Sequence, residues 1–206
     1  MKNIILIIGL MFLFMQGIAQ TITIDPDVAK QRVKDKVEDY QYQLSILANN
    51  TNKQTTRNTA SAAAKNLFMK QGGYYNYPIN GQTYYDKCIM ETVNKFRPNT
   101  IYSKLVKTYL EALALRPYKV SITATKDIQV DGLKKIGDNQ WMAVAHIGQK
   151  YVAGSADRPS YQDITFKDIT VFIDIREDEY GLHYIIRLED CKVTGVGDVP
   201  EELQYD

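Results

Sequence analysis

Apolar positions repeat at helical spacing in the first half of the chain and at strand spacing in the second. Val33, Val37, Tyr40, Leu44 and Leu47 form one stripe and predict a helix over 26–48. Asp25 suits its cap, Pro26 its first position, and Asp27 complements the positive end of its dipole. Lys34, Lys36, Glu38 and Asp39 occupy the opposite, solvated face. Residues 49–58 hold no apolar side chain and read as a loop. Ala60, Ala63, Ala64, Leu67 and Phe68 predict a second helix over 58–70, stopped by Gly72 and Gly73. Asn80-Gly81 between two Tyr-rich arms predicts a β-hairpin, since this pair readily takes two positive φ angles. Tyr85, Ile89, Val93 and Phe96 favour a helix over 86–96; as a strand, the same stretch would put Cys88, Met90 and Thr92 on one side. After Pro98, Asn99 or Thr100 is expected to cap another helix reaching Leu115, with Leu105, Tyr109 and Leu113 buried and Pro117 as its stop.

Beyond Pro117 the period becomes two. Tyr118, Val120, Ile122 and Ala124 alternate with polar residues, and 140–152, 164–175 and 182–194 read as long strands. The polar run 176–181 joins the last two as a hairpin. Helices followed by an antiparallel meander predict a single α+β domain whose helices cover one sheet face.

Composition refines this picture. The chain has 206 residues with 25 Lys+Arg and 24 Asp+Glu, and its first nineteen read as a secretory leader. Lys2 precedes an apolar run from Ile4 to Met15, too short to span a bilayer, and Gly17-Ile18-Ala19 supplies the small residues of a cleavage site. Cleavage near Ala19 would leave a domain of residues 20–206 in a periplasmic or extracellular space, without a transmembrane span. The leader contains one cation, no acid and two of the six Phe, so 24 charges of each sign remain and fifteen Tyr face four Phe. Balanced charge argues against nucleic acid, which requires a basic stripe.

Two or three N-terminal helices, a hairpin, a helix and four long antiparallel strands over residues 25–197 resemble the nuclear-transport-factor-2-like superfamily, with a cystatin-like helix-on-sheet arrangement as near neighbour. The resemblance lies in element order, supported by Asn80-Gly81 and the strand lengths. It implies N-terminal helices packed on a curved antiparallel sheet, cone-shaped, with a pocket that members use for catalysis, binding or assembly. It carries over no functional residue.

Candidate chemistry is sparse. Phosphate-loop, zinc-protease, nucleophile-elbow and paired-cysteine motifs are absent, and no cofactor or metal is expected. Asp174, Asp178 and Gly181 lack calcium-loop spacing and read as an acidic hairpin tip. His146 shares a strand face with Met142, Val144 and Gly148; beside a carboxylate in a pocket it would suit acid–base work, and otherwise it is a packing residue. His183 shares a polar face with Arg187 and Glu189. Cys88 and Cys191 form either a disulfide, as export permits, or two buried thiols. Tyr74, Tyr75, Tyr77, Tyr84 and Tyr85, with Trp141, are the candidate ligand-contacting rings, against the alternative that they simply pack. The loop 153–162 is a candidate rim. These features predict an exported, non-enzymatic binding or assembly protein of the bacterial envelope, its partner an envelope protein, a peptide or a glycan. A lyase- or isomerase-type pocket enzyme using His146 and a carrier of a small apolar ligand are the alternatives.

Overall fold

A computed structural model describes residues 23–117, 119–125, 127–154 and 159–199. The expected leader and its cleavage site lie outside these residues. The elements are α1 (Pro26–Ala48), α2 (Gln54–Asn66), a 3-10 turn (Met69–Gly72), β1 (Tyr74–Ile79), β2 (Gln82–Lys87), β3 (Ile89–Asn94), β4 (Arg97–Leu105), α3 (Val106–Ala114), β5 (Val120–Ala124), β6 (Gln129–Gly137), β7 (Gln140–Gly154), β8 (Pro159–Asp178) and β9 (Gly181–Gly197). The fold is α+β with a mostly antiparallel sheet. Among the described residues no helix is long and apolar enough to cross a membrane.

The first helix forms as its pattern predicts. Asp25 accepts from the backbone N–H of Asp27 at 2.9 Å, and the five stripe residues are buried. Tyr40 meets Phe68 edge-on at 5.2 Å. The second helix starts four residues before its expected start and ends at Asn66, because its buried residues begin with Arg57. Arg57 donates from Nε to the carbonyl of Leu47 and from Nη2 to that of Leu113, both at 2.9 Å. One guanidinium thereby satisfies carbonyls in the last turns of α1 and α3, groups a helix cannot pair internally. Gly72 does not stop α2. It sits at φ +75° where a Cβ would lie 2.8 Å from Val106, so it allows the turn to seat against α3.

Of two further expected helices, the one over 86–96 is not there and the one reaching Leu115 is present only in its second half. Residues 89–94 form β3 and residues 97–105 form β4, so α3 starts only at Val106. Neither Asn99 nor Thr100 is a cap, and Pro98 lies within a strand rather than ending a helix. That proline is tolerated because β4 is the edge of the sheet and needs no full set of donors.

The main sheet has the order β4-β3-β9-β8-β7-β5, and β6 also pairs with β7. β3 and β9 run parallel, pairing Met90 with Cys191, and the other pairs are antiparallel. The register of β8 on β9 shifts at Phe166/Lys167 and at Ile169/Val171, insertions of the kind that bend a strand. β1 and β2 form a separate hairpin turned at Asn80 (φ 48°) and Gly81 (φ 77°), as the Asn-Gly pair predicts. Alternate residues of β7 (Trp141, Ala143, Ala145 and Ile147) join the core with Val171, Ile173 and the stripe of α1.

Candidate functional site

The pairing of β7 with β8 carries one continuous inner face. Trp141, Ala143, Ala145 and Ile147 lie opposite Ile173, Val171, Ile169 and Lys167; then Gln149, Tyr151 and Ala153 lie opposite Thr165, Asp163 and Tyr161. The composition changes at Lys167. Up to that point the face is apolar core. Past it, polar side chains line a cavity of about 550 Å³, within the size range of small-molecule sites. β3 and β4 wall the cavity on one side through Val93 and Tyr102, α3 through Tyr109, and β5 through Ile122.

Most of the polar groups in this cavity have partners. Tyr161 donates to Asp163 Oδ2 and accepts from the Lys95 backbone N–H at 2.9 Å. Thr165 donates to Asp163 Oδ1 at 3.3 Å, and Arg116 Nη1 donates to the Tyr151 hydroxyl at 2.6 Å. The rings of Tyr151 and Tyr161 meet edge-on at 5.9 Å. Burial raises the Asp163 carboxyl above its usual range, against the opposing pull of Tyr161, Thr165 and the cations Lys95 and Lys167. Burial also pushes the Tyr161 and Tyr109 phenols up to about 12.

Two buried groups are poorly served. Gln149 is 6% exposed, and its Nε2 has no hydrogen-bond partner among the described residues. Lys167 is 5% exposed; its Nζ reaches only the thioether of Met90 at 3.5 Å, and no ion pair forms among the described residues. Both are donors at the seam between the apolar and polar halves of the face.

The aromatic residues singled out by sequence divide by parity. Tyr75 and Tyr77 are buried against the outer face of the sheet, where their hydroxyls donate to Glu189 and to Asp174 Oδ1, the latter at 2.7 Å. Burial and those carboxylates raise both phenols well above the usual range. Tyr77 also packs on Phe172 at 4.7 Å. Trp141 is buried in the core. These three rings fasten the structure and offer no ligand surface. Tyr74, Tyr84 and Tyr85 are exposed on the hairpin, away from the cavity.

His146 is not in the cavity. Strand alternation turns it to the outer face, where Nδ1 lies 2.7 Å from Asp168 Oδ1 and Nε2 3.6 Å from Asp131 Oδ2. The carboxylate partners are present; Asp131 lines a second, shallower hollow with Asp27, Lys30 and Lys34, and His146 itself lines neither that hollow nor the cavity. His183 pairs with Asp178 at 2.8 Å on the tip of the β8–β9 hairpin. That tip does not gather Asp174 and Asp178, because Asp174 is held by Tyr77 and Gln140. Cys88 and Cys191 are buried and not joined. The Cys88 thiol donates to the Met69 carbonyl at 3.3 Å, while Cys191 lies against the Tyr40 hydroxyl, so the two sulfurs serve different neighbours.

Outside the rim 153–162, the cavity residues are not among the expected site residues, yet one signal for them is present in the sequence. Gln149 and Tyr151 continue the parity of Trp141–Ile147, and Lys167 continues that of Ile169–Ile173, so polar groups fall on the buried side of both strands. Of the proposed rim 153–162, Ala153, Gly154, Ser160 and Tyr161 line the cavity, and residues 155–158 lie outside the described ones.

No protein family and no curated protein matches this sequence. Among solved structures, the chain is similar to a proposed scytalone dehydratase from Novosphingobium aromaticivorans DSM 12444. That match has 12% identity and a TM-score of 0.39, and covers 82% of this chain and 87% of the other.

Proposed function

We propose that this is an exported ligand-binding protein of nuclear-transport-factor-2-like, cone-shaped architecture, which holds a small organic molecule in the cavity between β7, β8, β4 and α3. The observation that carries this reading is the buried Gln149 Nε2, which has no hydrogen-bond partner among the described residues and belongs to a side chain lining a cavity of ligand size. A buried donor without an acceptor is costly in a folded protein, and an occupant with an acceptor removes that cost. Helices over one sheet face, bulges in β8–β9 and the order of elements support the cone-shaped architecture. The sequence of residues 1–19 supports export. A purely apolar cargo fits poorly, because it offers no acceptor to Gln149 Nε2 and no counter-charge to Lys167, whose Nζ reaches only the Met90 thioether.

Native mass spectrometry of protein purified from its own cells tests this reading. Wild type is expected to carry a small-molecule adduct that Ala153→Trp, which fills the cavity, does not carry. Equal masses above the bare chain in both proteins, or a bare wild type, would overturn it. The Tyr161–Asp163 pair favours a second reading, a lyase- or isomerase-type enzyme in which this pair moves a proton. Turnover of the released ligand by wild type and not by Asp163→Asn would establish that reading; unchanged ligand would exclude it.

A further inference from the structure

We infer that the occupant is an organic anion, a carboxylate on an aromatic or aliphatic body, with its oxygens seated between Lys167 Nζ and Gln149 Nε2. This deepens the proposed binding function and rests on it. The charges lining the cavity are unequal. Among the described residues that line it, Lys104, Arg116 and Lys167 are basic and Asp163 is the one acid. Asp163 accepts from Tyr161 and Thr165, forms no ion pair with Lys167, and shares its charge between Lys95 and Lys167, so it balances Lys167 only in part. The two underserved groups are both donors, and both call for an acceptor.

Their placement suits a single acceptor group. Lys167 pairs with Ile147 and Gln149 with Thr165, so the two are diagonal neighbours on one face of an antiparallel pair, a spacing that long side chains bridge. A carboxylate offers two oxygens and a negative charge to this donor pair. A neutral carbonyl would serve Gln149 and leave the Lys167 ammonium unmatched. Lys167 also lies where the cavity meets the apolar core, which places the anion at the inner end. The body of the ligand then extends outward along Val93, Ile122 and the rings of Tyr102, Tyr109, Tyr151 and Tyr161. Aromatic edges and faces of this kind accept flat or flexible carbon skeletons without demanding hydrogen bonds.

Matched probes test the inference. Calorimetry compares 4-phenylbutyrate with 4-phenylbutanamide and hexanoate with hexanamide, each on ligand-stripped wild type, Lys167→Met, Lys167→Gln and Ala153→Trp. Wild type is expected to prefer each carboxylate about tenfold or more, as for a charge-assisted contact. Lys167→Met is expected to bind acid and amide within about twofold of each other. Its thermal melt and far-ultraviolet circular dichroism report whether it folds, and Lys167→Gln, which keeps polarity without charge, serves if it does not. Equal binding of acid and amide by wild type, or an undiminished preference in both Lys167 variants, overturns the anion while leaving the cavity a ligand site. Absence of binding by any probe, or equal binding to Ala153→Trp, overturns the cavity reading and the anion together.

Discussion

The inner face of the β7–β8 pair is built twice over, once for stability and once for contents. Its first half sets Trp141, Ala143 and Ala145 against Ile173, Val171 and Ile169 and is closed by the stripe of α1. Its second half sets Gln149 and Tyr151 against Thr165 and Asp163 and surrounds a cavity. Backbone pairing and side-chain parity are the same in both halves. What differs is the side-chain chemistry and what lies above it, so one pair of strands forms core along one half and a cavity wall along the other without a change of fold. The boundary is a single register pair, Ile147 opposite Lys167.

That boundary can be moved from either side. The largest effect is expected from Ile147→Lys, which puts a second ammonium into the apolar half; a loss of about 4 kcal/mol or more would leave little folded protein, read by circular dichroism. Ile169→Ala, in the fully buried half, is expected to cost about 3 kcal/mol and lower the melting temperature by roughly 6–12 °C, whereas Thr165→Ala across the boundary should cost less than about 1 kcal/mol. Equal losses would mean that the cavity half is as tightly packed as the core. Lys167→Met is expected to melt at or above wild type, by about 1 kcal/mol, because it removes a buried cation that forms no ion pair among the described residues. A clear drop would show that the ammonium is already well served.

The smallest effect is one of pH. The Asp163 carboxyl binds its proton more tightly in the folded chain than in the unfolded one. Its ionisation therefore works against the fold, and stability from this group is fully present below the unfolded value and lost as pH rises through the folded value. Asp163→Asn should gain stability relative to wild type at pH 7, with the gain shrinking as pH falls towards 4. Asp178, at the exposed hairpin tip, has the opposite sign. Its carboxyl is lowered, first by the Tyr180 backbone N–H and then by His183, so its contribution is present above the unfolded value and fades in acid. Melting curves of both Asn variants from pH 7 to pH 4 separate the two signs. A gain for Asp163→Asn that stays constant across this range would contradict the raised carboxyl.

The elements legible in the sequence were those whose burial is one-sided and uninterrupted. The stripe of α1 and the alternation of β7 expose their period directly, and Asn80-Gly81 names its own turn. β4 has no buried face along most of its length, so no hydrophobic period marks it, and its neighbour β3 shares its apolar spacing with a helix. β6 escaped notice because Gly132, at φ +65°, and two register shifts break its alternation. The helices α2 and α3 lack side-chain N-caps, which removed the usual start signal. The excess of tyrosine is spread over two places, the hairpin and the cavity. Tyr75 and Tyr77 anchor the hairpin, whereas Tyr102, Tyr109, Tyr151 and Tyr161 reach the cavity from four different elements. Convergence of residues so far apart in sequence is set by strand order, which no local pattern contains.

Arg57 also has a kinetic consequence. Its guanidinium can bridge Leu47 and Leu113 only when the ends of α1 and α3 have both arrived, 66 residues apart in the chain. A contact that closes after its two supports are in place contributes little to the barrier crossed on the way in, and much to the barrier on the way out. The side chain acts as a latch. Its truncation should be felt chiefly as a shorter native lifetime, with the rate of reaching the native state nearly unchanged.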